Sequence, residues 1–133
     1  MANNTIVPLD RDVDIVEARQ KGRELAASLG FSGGDLAVIA TAISELARNI
    51  IEYADKGEIV LSATQQGARH GIVVVARDEG PGIPNIEQAM QDGFSTGKSL
   101  GLGLTGAKRL MDEFEIASEL GKGTTITMKK WVR

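Results

Sequence analysis

Cysteine is absent from the 133 residues, and histidine occurs once, at His70. A disulfide framework, a thiolate nucleophile and a polyhistidine metal site are therefore all excluded. A basic excess is also missing: 15 Lys and Arg stand against 18 Asp and Glu, a net charge of −3. General affinity for nucleic acid needs the opposite balance, so no nucleic-acid partner is expected. No window approaches the roughly 18 uninterrupted apolar residues of a membrane span. The opening MANNTIVPLDRD turns acidic too early for a secretory signal, which leaves a cytoplasmic location and no membrane partner as the expectation. Disorder is excluded as well, because 42% hydrophobic with 25% charged residues is ordinary globular composition. The length suits a single domain over residues 1–133.

Aromatic residues are scarce at 4%, whereas glycine reaches 16 positions. The glycines cluster between Gly80 and Gly106, with a late pair at Gly121 and Gly123. Glycine loses the most backbone entropy on folding, so such a cluster marks chain that bends sharply or approaches something closely.

Residues 5–7 suggest a short strand ended by Pro8 and Asp10. Apolar residues then recur with helical period from about 13 to 29, where Gly30 stops the helix. Ser32 or Asp35 can cap a longer helix to about Tyr53, its stripe formed by Leu36, Ile39, Ile43, Leu46 and Ile50. The period changes at 58–65 (EIVLSATQ) and 71–77 (GIVVVAR), which read as a hairpin closed by QGARHG. A loop over 78–84, a short helix over 86–92, an irregular polar stretch over 93–100 and a helix from Gly103 to about Asp112 follow. Strands at 114–118 and 124–132 finish the chain. This order predicts an α+β fold, a two-layer α/β sandwich with helices on one face of a mixed sheet.

Three segments have the residue types for chemistry. Glu45 and Asn49, four apart on the long helix, share one face outside the apolar stripe. A carboxylate beside an amide oxygen offers a proton acceptor next to a hard ligand for Mg²⁺, although such pairs are commonly just solvated side chains. Asp78, at the end of an apolar strand, precedes a turn with Gly80, Pro81 and Gly82. Its carboxylate can accept from an amino group such as that of adenine, though Asp, Gly and Pro are also what any turn uses. The third segment, 97–106 (GKSLGLGLTG), puts glycines before a helix start, where backbone N–H groups and the helix dipole favour phosphate. A flexible loop is its plain alternative. Gly101, Gly103 and Gly106 satisfy G-x-G-x-x-G, but no apolar strand leads into them, as a dinucleotide fold requires. The run 93–99 has three residues between its glycines where a P-loop has four, and is rejected.

Glu45-x-x-x-Asn49, Asp78-x-Gly80-x-Gly82, Gly101-x-Gly103 and Gly121-x-Gly123-Thr124 occur in the order and approximate spacing of the GHKL ATPase and kinase superfamily, which the chain resembles over about residues 10–130. Within it, TAISELARNI (41–50), DEGPGIP (78–84), DGFST (92–96) and KRLMDEFEI (108–116) are most similar to the small serine-kinase branch of anti-sigma factors and stress-signalling switch kinases. The resemblance implies the GHKL (Bergerat) fold and an ATP- and Mg²⁺-dependent serine/threonine kinase acting on STAS-domain partners of a stressosome, both scaffold and antagonist. It implies a second task, activation of a PP2C-type phosphatase by binding. The alternative is a nucleotide-holding anti-sigma factor or partner-switch module without catalysis. By position, Glu45 would be general base or orienter, Asn49 the Mg²⁺ ligand, Asp78 the adenine acceptor, and Gly80 and Gly82 the turn giving the base close access. Gly101, Leu102, Gly103 and Leu104 would cradle phosphates, with Lys98 a lid contact and Thr124 support at the adenine end. Tyr53 stands where many relatives carry a basic residue one turn beyond the Asn, and Ser99 and Leu100 where some carry an Arg.

Overall fold

The computed structural model describes residues 4–82 and 103–133. Strand β1 (Thr5–Leu9) leads into helices α1 (Asp12–Leu29) and α2 (Gly33–Ala54). Strands β2 (Gly57–Gln66) and β3 (Arg69–Asp78) form a hairpin; helix α3 (Gly103–Leu110) and strands β4 (Glu113–Glu119) and β5 (Gly123–Trp131) complete the described elements.

Local chemistry accounts for the helix boundaries. At the start of α1 the Asp14 carboxylate accepts the backbone N–H groups of Asp10 at 2.9 Å and Arg11 at 3.0 Å, satisfying donors that a helix start leaves open. Those two bonds, Asp10 first, hold its pKa below the usual 3.8. The helix ends where Gly30 turns left-handed, and its N–H reaches the carbonyl of Ala27. Ser32 caps α2 by accepting the Asp35 N–H at 3.3 Å. Along α2, Ile39, Ile43, Leu46 and Ile50 fall on one face and are buried, as their spacing predicts.

The five strands are ordered β1-β2-β3-β5-β4, and every adjacent pair is antiparallel. The expected two layers and the single helical face are present, but among the described strands the expected mixed sheet is not. Two helices between β1 and β2 return the chain to the end it left, so β2 runs back alongside β1. Beyond β3 the chain returns through α3, which makes β4 run in the same direction as β3. Those two would be a parallel pair if they touched, yet β5 sits between them and opposes both. Proline does not end the first strand either: Pro8 lies within β1 opposite Glu58. Among the described strands β1 has a neighbour on one side only, so the missing N–H of proline can face away from the ladder. The β2–β3 hairpin is tighter than expected, with Gln66 paired to Arg69 across two residues. The predicted helix over 86–92 and irregular stretch over 93–100 lie outside the described residues.

Side chains alternate across the sheet. Ile72, Val74 and Ala76 of β3 and Ile126 and Met128 of β5 face the helices and are buried with Ile43, Leu46 and Leu104. At one end of this apolar face the same alternation brings up a polar row. Asp78 stands opposite Gly57 on one side and Thr124 on the other, and Thr124 stands opposite Ser118.

Candidate nucleotide site

The polar row ends the sheet below the C-terminal turn of α2. Asp78 is half-buried; its Oδ1 accepts the Gly80 N–H at 2.9 Å, which orients the carboxylate and leaves Oδ2 to accept from elsewhere. Thr124 is buried at 6% exposure, with its hydroxyl 2.9 Å from that of Ser118. Ser118 also donates to the Gly123 carbonyl at 3.3 Å. A carboxylate and two mutually bonded hydroxyls thus share one edge of an otherwise apolar layer, an arrangement suited to the donor and acceptor edge of a flat heterocycle.

The loop after β3 is held from two sides. A methyl group on Gly80 would come within 2.5 Å of the Ala54 side chain, so the loop lies directly on the end of α2. Pro81 accepts the Gly121 N–H at 3.0 Å, tying the loop to the β4–β5 turn. Gly82 has φ of 80° and would carry a side chain into the Glu119 carbonyl at 2.6 Å. Gly123 has φ of 118° and lies against the carbonyl of Asp78. Both positions combine a left-handed backbone with a neighbour's main chain where Cβ would go, which only glycine accommodates. The immediate demand for glycine at Gly82 and Gly123 therefore comes from two turns packed against each other.

On α2, Glu45 is only 8% exposed, which removes the reading of a solvated pair. Its Oε1 accepts from Arg48 at 2.9 Å, an i,i+3 ion pair that fixes the carboxylate's direction. Asn49 is half-buried one turn further on. Helix α3 is amphipathic and packs against α2. Gly103 opens α3, and Leu104 is 4% exposed within the core, so any contact Leu104 makes with an anion runs through its backbone.

Asp78, Gly80, Gly82 and Thr124 are thus gathered at one end of the sheet, with the end of the Glu45 and Asn49 helix lying on their loop. Lys98, Gly101 and Leu102 lie outside the described residues. Sequence reading missed Ser118 and Arg48. Ser118 was detectable only through strand register, while Arg48 was visible as the basic residue three positions after Glu45. Among the described residues no group of three or more His, Cys, Asp or Glu could hold a metal ion. Asn49 offers one hard amide oxygen, a donor type that a hard cation carrying water and phosphate oxygens accepts.

Residues 7–130 match the family model described as "Histidine kinase-like ATPase domain", and the chain belongs to that family. Over all 133 residues and the whole of both chains, it is 50% identical to the serine/threonine-protein kinase RsbT of Bacillus subtilis (strain 168). It is 39% identical over 121 residues to an anti-sigma F factor of Thermoanaerobacter sp. (strain X514), covering 86% of this chain and 83% of that one. The fold is also that of a structure of the RsbU and RsbW domains of Rv1364c from Mycobacterium tuberculosis, with a TM-score of 0.64 at 24% identity, covering 98% of this chain and 32% of that one. The mycobacterial sensor histidine kinase MprB gives a TM-score of 0.56 at 19% identity, covering 95% of this chain and 97% of that one.

Proposed function

We propose that this protein is an ATP-dependent serine/threonine protein kinase of a partner switch, transferring phosphate to STAS-domain proteins. The carrying observation is half identity along the entire length to a protein named a serine/threonine-protein kinase, together with a buried carboxylate, Glu45, on the helix above the polar row. In this reading Asp78 accepts the adenine amine, and Thr124 with Ser118 supports the ring. Gly103 and the backbone of Leu104 meet the phosphates, with Lys98, Gly101 and Leu102 completing that cradle. Asn49 would hold Mg²⁺, which when bound would neutralise phosphate charge.

Glu45 orients the hydroxyl of the partner's Ser or Thr and takes its proton. The new O–P bond forms at the γ-phosphorus, the bond to the β-bridging oxygen breaks, and ADP leaves. Such transfer depends mainly on positioning and electrostatics, which rigid helices supply. Arg48 must yield part of its hold on Glu45 as the hydroxyl arrives, and the 39% exposure of its side chain gives it room to swing outward. The same reading gives the kinase a cytoplasmic setting and a second task, activating a PP2C-type phosphatase by binding once the STAS partner lets it go.

Glu45→Ala is expected to bind ATP normally and to phosphorylate its partner about 10²–10⁴-fold more slowly. Transfer at the wild-type rate, read by mass spectrometry of a STAS partner after incubation with ATP and Mg²⁺, would remove Glu45 from the mechanism. The kinship to anti-sigma F factors favours one other reading, a nucleotide-dependent binding module without transfer. Capture of a partner from labelled ATP without label reaching it would select that reading instead.

A further inference from the structure

At the end of the sheet remote from Asp78 and Thr124, a second polar cluster holds the back of α3. Lys130 belongs to the helix-facing side of β5, six residues from Thr124, and is only 7% exposed. Its ammonium donates to the Leu110 carbonyl, the last residue of α3, at 3.1 Å. One residue past the helix and its successor, Asp112 accepts the Trp131 backbone N–H at 2.9 Å and pairs with Arg133. Its own backbone N–H donates to the Lys129 carbonyl at 3.0 Å. The indole N–H of Trp131 reaches Glu113 at 2.8 Å, and Arg69 covers the ring at 5.0 Å.

A lysine this buried is costly when apolar neighbours could fill the space. Here its charge meets the negative end of a helix dipole and satisfies a carbonyl that the helix leaves open. The helix so held is short, eight residues or about 12 Å, so fixing one end fixes the other. We infer that Lys130 is a positioning residue for nucleotide phosphates: by anchoring the C-terminus of α3 it sets where the N-terminal N–H groups of that helix stand. The inference rests on the nucleotide reading above and extends it to a residue at the opposite end of the sheet, outside every motif in the sequence.

The test separates the phosphate end of the ligand from the base end. Full-length Lys130→Met and Lys130→Arg proteins are titrated with Mg-ATP and with adenosine, and their melting temperatures are measured without ligand. Methionine keeps the apolar stem and removes both charge and donor, so lost hydrogen bonding and relieved desolvation offset each other and the melting temperature should move little. ATP affinity should fall at least about fivefold, the lower range of coupling between separated sites, while adenosine affinity stays at the wild-type value. Lys130→Arg should restore most of the ATP affinity. A folded Lys130→Met protein with wild-type ATP affinity overturns the inference, and so does an equal loss for adenosine, which would mean general loosening. If Lys130→Met does not fold, Lys130→Gln carries the same comparison. A wild-type protein that binds neither ligand removes the nucleotide reading itself, and that outcome is distinct from the other two.

Discussion

Thr124 and Ser118 illustrate how much depends on a single hydroxyl. The two oxygens lie 2.9 Å apart, with Thr124 almost fully buried beside Asp78. Thr124→Val keeps the shape and removes the oxygen, leaving Ser118 its bond to Gly123. Stability should fall by about 1 kcal/mol, the usual net value of a hydrogen bond, measured by urea unfolding. ATP affinity should fall about tenfold if that hydroxyl serves the adenine; unchanged affinity would move the base elsewhere. Gly123→Ala tests backbone rather than side chain. With φ of 118° and the Asp78 carbonyl in the way, alanine should cost at least about 1–3 kcal/mol, read in the same unfolding experiment. At this scale the sequence was informative about types and not about contacts. Glu45 and Asn49 could be paired from their spacing because a helix repeats every few residues. The partnership of Ser118 with Thr124 depends on a turn length and a register that no local pattern specifies, and no local pattern marks Lys130 as buried.

Among elements, α1 offers a pH-dependent prediction. Asp14 receives two backbone N–H groups at the helix start, and its pKa is lowered from 3.8. A depressed folded value means that the carboxylate's stabilisation is complete above the unfolded value and disappears as pH falls through the folded one. Asp14→Asn should therefore melt at a lower temperature than wild type near neutral pH, with the gap closing below the folded value as the wild-type carboxylate protonates. A gap that persists unchanged in strong acid would show that charge is not the cause. Helices α1 and α2 were legible to within a residue or two because the stop at Gly30 and the cap at Ser32 are written locally. Strand direction was not. The order of elements suggested a mixed sheet, and the insertion of β5 between β3 and β4 makes every adjacent pair antiparallel instead. Pro8 misled for a similar reason, since an edge position is a property of the assembled sheet.

For the molecule as a whole, one layer of aliphatic side chains does most of the holding. Ile43 is 0% exposed at the centre of α2, between the sheet and α1. Ile43→Ala should lower stability by about 2–5 kcal/mol through lost burial and the cavity left behind, measured by chemical denaturation. The same change should leave the ordering of ATP over adenosine intact in whatever fraction remains folded, because the polar row is built by the strands. The topology also imposes a timetable. Strand β5 follows every other strand in the chain yet occupies an interior slot, flanked by β3 and β4. As a ribosome delivers the protein from its N-terminus, β3 emerges with one edge bare and must wait some fifty residues for its second neighbour. Until then Asp78 has no Thr124 beside it, so on the proposed reading a nascent chain lacks part of its adenine site, and the open edge of β3 stands ready to pair with a second nascent strand.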